Sequence, residues 1–132
     1  MKPIGPYVFI LCRNAANPQL LACKTQHGCR RVRLPGGRET ELSLTTGAAP
    51  NLKKQLLEQG WRLLELGAEI ARDPYGEDGT DEVVWREARM VERGHFVGKF
   101  QPVWATADEV ARGDWIHEDV LDDFMECSYD QK

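Results

Sequence analysis

A chain of 132 residues with 42% hydrophobic and 29% charged residues fits one compact domain with its own core, and leaves no room for a second. Its formal charge of -4 argues against general nucleic-acid binding, and no apolar run approaches the ~18 residues that a membrane helix needs. The amino terminus lacks the apolar core of a signal peptide, and Cys12, Cys23, Cys29 and Cys127 include no Cys-x-x-Cys pair, so a cytoplasmic chain with free thiols is expected.

Residues 7–12, Tyr-Val-Phe-Ile-Leu-Cys, form a continuous apolar run rich in β-formers, which places a strand covered on both faces at the centre of a sheet. Turn residues follow at 13–18, and 19–24 reads as a second strand pairing back on the first. Cys23, His27 and Cys29 offer thiolate and imidazole ligands, but their spacing is poor for zinc and no second pair follows, so a hairpin loop is the better reading.

In residues 30–34, Arg31 and Arg33 alternate with Val32 and Leu34. Two readings stay open. An edge strand shows its arginines to water to avoid aggregation, or Arg31, Arg33 and Arg38 surround the next turn and meet phosphate oxygens with their planar forks of donors. That turn is Pro35-Gly36-Gly37. Proline fixes φ and donates no hydrogen bond, while the two glycines leave backbone bare for a ligand to approach.

Residues 48–59 have Pro50 suited to a first helical turn, Ala49, Leu52 and Leu56 on one stripe, and Gly60 as a stop. The periodicity buries Leu52 and Leu56 and turns Lys53, Lys54 and Glu58 to a cleft or to solvent. Residues 61–71 and 82–93 are each ambiguous between strand and helix by pattern alone. The acidic stretch 73–82 lacks the ligand order of a calcium loop and reads as a solvated hairpin connection. Thr106 with Glu109 three residues on is a capping box, and residues 117–126 repeat apolar positions at helical intervals, predicting a closing amphipathic helix.

The order of strand, Leu-Pro-Gly-Gly turn, loop and helix ending in Leu57-Glu58-Gln59-Gly60-Trp61 resembles the Nudix hydrolase superfamily, whose box runs G-x5-E-x7-R-E-U-x-E-E-x-G-U. The resemblance implies an α/β fold: a single domain with a Nudix-like mixed β-sheet sandwiched between helices, in which 61–71 and 82–93 are strands. It also implies magnesium held by helical glutamates and a carbonyl of the Gly-Gly turn, here Gly36, bridging the pyrophosphate of a nucleoside diphosphate derivative. Counting back from Gly60 puts Lys53 at the box arginine and Lys54, Leu57 and Glu58 at its three glutamates, so Glu58 alone remains as catalytic carboxylate and metal ligand. Gly37 to Gly60 is two residues longer than the box, and the extra residues are expected in a loop at 44–47.

A lysine ammonium ~6 Å from a divalent cation costs about 5 kcal/mol at an effective dielectric of ~20, so magnesium is expected to bind weakly or not at all. The expectation is therefore a Nudix-like domain that binds a small phosphorylated nucleotide through Arg31, Arg33, Gly36, Gly37, Arg38, Lys53 and Lys54 without efficient hydrolysis. Two alternatives stand beside it: a working pyrophosphohydrolase with a rearranged metal site, drawing on acids such as Glu39, Glu41 and Glu82, and a non-catalytic scaffold or homodimer that keeps the fold for packing.

Overall fold

The computed structural model describes residues 5–14, 19–25, 32–75, 79, 81–94 and 100–113. Its elements run β1 (Tyr7–Leu11), β2 (Gln19–Thr25), β3 (Val32–Arg33), β4 (Gly36–Arg38), α1 (Glu41–Thr46), α2 (Pro50–Glu58), β5 (Trp61–Tyr75), β6 (Asp81–Arg93), β7 (Phe100–Thr106) and α3 (Ala107–Gly113). The second expected helix, at 117–126, lies outside the described residues, as do Arg31, His27 and Cys29.

The strands form two sheets. One has the order β4-β1-β6-β5, with β1 parallel to β6 and antiparallel to β4; the other has the order β3-β2-β7. The expected pairing of β2 back onto β1 is corrected: β2 lies in the second sheet, and a short stretch joins the two at their root, through the bridge Arg13–Leu20 and the bonds from Leu21 N–H to the Cys12 carbonyl (2.8 Å) and from Asn14 N–H to the Gln19 carbonyl (2.9 Å). The reason is burial. With Val8, Ile10 and Leu11 all at 0% exposure, β1 needs a partner on each side and a cover on each face, and β4 and β6 supply the sides.

Both ambiguous stretches are strands. In β6, Val83, Val84 and Trp85 are all buried, which is the pattern of a central strand covered on both faces and of neither a helical stripe nor a simple alternation. The faces of β1 separate the core in two. Val8 and Ile10 pack with Leu44, Leu52, Leu56, Trp61 and Val84 under α2, while Phe9 and Leu11 pack with Leu20, Leu34, Trp85, Ala105 and Val110, which brings in the second sheet and α3. The capping box at α3 forms as expected, Thr106 Oγ1 accepting from Glu109 N–H (3.2 Å) and Glu109 Oε1 from Thr106 N–H (3.0 Å).

Where a loop was expected at 44–47 stand the second half of α1 and its C-cap. Thr40 Oγ1 caps it by accepting from Ser43 N–H (3.2 Å), and Gly47 ends it at φ +80°, where a side chain would be strained. Leu44 then reaches the α2 core at 2% exposure. The longer spacing before α2 is thus taken up by a turn of helix whose apolar residue is used.

Candidate functional site

The Pro35-Gly36-Gly37 segment is not bare backbone. Gly36 and Gly37 are buried and begin strand β4, which pairs with β1 in the register Val8↔Gly37 and Phe9↔Gly36. Both positions are crowded by close approach: a Cβ on Gly36 would run into the Val8 carbonyl oxygen, and one on Gly37 into the Gln55 side chain.

Helix α2 lies along the other side of this strand and meets it through two side-chain amides. Gly36 N–H donates to Gln59 Oε1 (2.8 Å), and Gln59 Nε2 donates to the Gly36 carbonyl (2.7 Å). Two residues along the strand, Arg38 N–H donates to Gln55 Oε1 (3.0 Å), and Gln55 Nε2 donates to the Arg38 carbonyl (2.8 Å). The spacing fits because four residues of helix rise ~6.0 Å and two residues of strand ~6.6 Å. Each primary amide turns one N–H and its oxygen to the strand, so it pairs with a strand residue as a neighbouring peptide would, and the second N–H of Gln55 donates to the Asn51 carbonyl (2.9 Å).

The start of α2 is held by a buried acid. Ala49, at the N-cap, has no side-chain oxygen and sits at φ +41°, so Glu39 at 2% exposure supplies the missing cap. Its Oε2 accepts from Asn51 N–H (2.8 Å) and Leu52 N–H (3.1 Å), and its Oε1 from Thr40 N–H (2.9 Å). The end is closed by Gly60 at φ +94°, where a Cβ would meet Pro102.

Leu52 and Leu56 are at 0% exposure, as the stripe requires, and Lys54 and Glu58 are exposed, with Lys53 half-buried. The face turned to the glycine strand is, however, Gln55 and Gln59, not the row of Lys54, Leu57 and Glu58 that counting back from Gly60 puts there. At 3.6 residues per turn Glu58 lies about 60° round the helix from Gln55, on its solvent side. Leu57, at 43% exposure, lies on the far side.

Arg38 is engaged elsewhere. Its guanidinium donates to both carboxylate oxygens of Asp81 (3.1 and 2.6 Å) and to the Gly5 carbonyl (3.0 Å). The hydrogen bond from Arg38 holds the Asp81 carboxyl below its ordinary range, and the same contact raises Arg38. Arg33 lies with its guanidinium 6.0 Å from the centre of the Phe100 ring. A second node, which sequence reasoning missed, is Arg72, whose guanidinium gathers Glu41 (2.6 Å), Glu69 (2.9 Å) and Glu82 (2.9 Å) from α1, β5 and β6. Two of the acids considered as replacement metal ligands, Glu41 and Glu82, are thus brought together around a cation of the chain's own, and a third, Glu39, is spent on the α2 cap.

The fold has counterparts among solved structures. The solution structure of the E. coli ORF135 protein aligns over 99% of this chain and 94% of its own with a TM-score of 0.64 at 16% identity. MutT from a study of Aliivibrio salmonicida and Vibrio cholerae aligns over 99% and 100% with a TM-score of 0.59 at 14% identity, and a NUDIX hydrolase from Nitrosomonas europaea over 93% and 88% with a TM-score of 0.51 at 15% identity. The chain has the Nudix fold. No family model and no curated protein matches the sequence. At these identities the likeness is one of fold, and the chemistry of this Nudix fold must be read from its own residues.

Those residues do not suit magnesium held by helical glutamates and a glycine carbonyl. The Gly36 and Arg38 carbonyls already accept from Gln59 and Gln55, Glu58 is the one carboxylate on α2, and among the described residues no group of three or more His, Cys, Asp or Glu is placed to hold a metal ion. Sequence reasoning missed Gln55 and Gln59 because it aligned glutamate positions to glutamate positions. The spacing of two glutamines four apart, next to the Leu52–Leu56 stripe, was the available signal.

Proposed function

We propose that this Nudix-fold chain binds a small phosphorylated nucleotide or nucleoside diphosphate derivative and does not hydrolyse it efficiently. The observation that supports this most directly is the Gln59 amide on the Gly36 carbonyl, which puts a neutral N–H donor where hydrolysis in the manner of the family calls for a cation. The likeness to MutT and to a NUDIX hydrolase supports the ligand class. Arg33, Lys53 and Lys54 are the cations left for phosphate in this reading, with Arg31 as a further candidate, while Arg38 would have to exchange Asp81 for the ligand.

The test is a panel of nucleoside di- and triphosphates and their derivatives, scored in parallel for thermal shift and for magnesium-dependent phosphate release. The expected result is stabilisation by at least one nucleotide without turnover. Phosphate release that disappears in Glu58→Gln would replace this reading with that of a working hydrolase, and silence in both assays would leave a scaffold or homodimer.

A further inference from the structure

We infer that Gln55 and Gln59 form a neutral clasp that stands in for a divalent cation between α2 and β4, and that this chain is two side-chain substitutions away from a cation-dependent contact at the same place. This deepens the reading above, whose non-hydrolytic half rests on the same hydrogen bonds.

Donors and acceptors match across the contact. Facing α2, residues Gly36 and Arg38 each present a backbone N–H and a backbone carbonyl, and the two glutamines satisfy all four groups at 2.7–3.0 Å. A carboxylate at 55 or 59 could still accept from the N–H but would set oxygen against oxygen at the carbonyl. Two such carboxylates with the Gly36 and Arg38 carbonyls make a set of hard oxygen donors, which is what magnesium, manganese or calcium requires. Gly37 lies between the two contacts, and its missing side chain is what allows Gln55 to come so near. Glu58 borders the row on its solvent side and adds negative charge to the site once the neighbouring amides become acids. The amide form needs no ion, so the contact is complete in the chain as it stands.

The experiment compares three proteins in the absence of nucleotide: the parent, the double variant Gln55→Glu/Gln59→Glu, and Gln55→Leu/Gln59→Leu, which removes donors and acceptors alike. The parent's melting temperature should not respond to millimolar magnesium or manganese. The double glutamate variant should melt lower without cation and recover by roughly 5–10 °C when cation exceeds its Kd about 100-fold, and the leucine variant should melt lower with no recovery. A parent stabilised by the cation, or a glutamate variant as stable as the parent and indifferent to cation, would overturn the inference. Should the glutamate variant fail to fold, manganese titrated into the isotope-labelled parent provides an independent measurement: unbroadened amide signals from Gly36, Arg38 and the side chains of Gln55 and Gln59 support the clasp, and selective broadening at Gly36 refutes it. None of these readings uses nucleotide, so nucleotide binding can fail while the clasp survives, or the reverse.

Discussion

Glu39 caps Leu52 from outside its helix: the carboxylate Oε2 takes the Leu52 backbone N–H at 3.1 Å in the core, and the N–H of Asn51 at 2.8 Å beside it. An acid is stable at 2% exposure here because the first turn of α2 offers donors with no partner inside the helix, at the positive end of its dipole. Glu39→Ala should cost about 2–3 kcal/mol by orphaning these groups, and Glu39→Gln about 1 kcal/mol, since one amide oxygen remains to accept. Urea unfolding of the two variants checks the order; equal losses would mean that volume rather than capping is at stake.

Leu52→Ala and Leu56→Ala should each destabilise by ~2–5 kcal/mol, the range for a leucine at full burial, because α2 has no other apolar anchor of that size against Val8, Ile10 and Trp61. Leu57→Ala, at 43% exposure, should change stability by well under half of that. The same denaturation series separates the three, and a neutral Leu52→Ala would move the helix off the sheet.

Alanine at the two glycines should separate two kinds of crowding. In Gly36→Ala the new methyl meets the Val8 carbonyl, which is held in the sheet, whereas in Gly37→Ala it meets the Gln55 amide, which can swing away at the cost of its bonds to Arg38, and the Gln55 Cβ, which yields only with a small shift of α2. A loss of about 2–3 kcal/mol is expected for Gly36→Ala and about 1–2 kcal/mol for Gly37→Ala. Thermal unfolding of the pair supplies the comparison, and the reverse order would contradict the packing described.

The Arg38–Asp81 pair gives a pH dependence of definite sign. Asp81 titrates below its ordinary value of 3.8 in the folded chain, so its contribution is complete above that value and disappears as pH falls through the lowered one. Both side chains keep contact with water, so only about 0.5–1 kcal/mol is at stake. In Asp81→Asn the acid limb of a stability-versus-pH curve should be shallower than in the parent. An identical limb would show that the pair is not made in solution.

Cys12 is half-buried, and burial, helped by the nearby Glu87 charge, pushes its thiol up to about 11. Alkylation near neutral pH should be at least about tenfold slower than for an ordinary exposed thiol, even after allowing for the greater nucleophilicity of a more basic thiolate. Mass-spectrometric mapping of iodoacetamide labelling over time measures it at the peptide level.

What could be read from the sequence was what local pattern controls. The Leu52–Leu56 stripe, the stop at Gly60 and the Thr106–Glu109 box are short-range features, and all three stand in the structure. The fold was legible through the order of elements around the Gly-Gly segment. The partners of β1 were not, because an apolar strand announces that both faces are covered without saying by which strands. Nor was the face of α2 toward β4: two extra residues could be counted and placed at 44–47, but only the folding of 41–46 into α1 with Leu44 in the core shows how the chain absorbs them. A motif aligned by identity points at Glu58, whereas the close approach allowed by Gly37 selects Gln55 and Gln59.

The glutamines also close one edge of the first sheet. In the order β4-β1-β6-β5 the outer margin of β4 would ordinarily be a template for another chain's backbone, and at Gly36 and Arg38 it is already filled by groups that cannot propagate a ladder. Among the described strands, the other margin of this sheet is β5. There, register shifts between Leu63 and Ala71 break the regular ladder with β6, so that of the described strands β4 has its margin filled and β5 bends along its length.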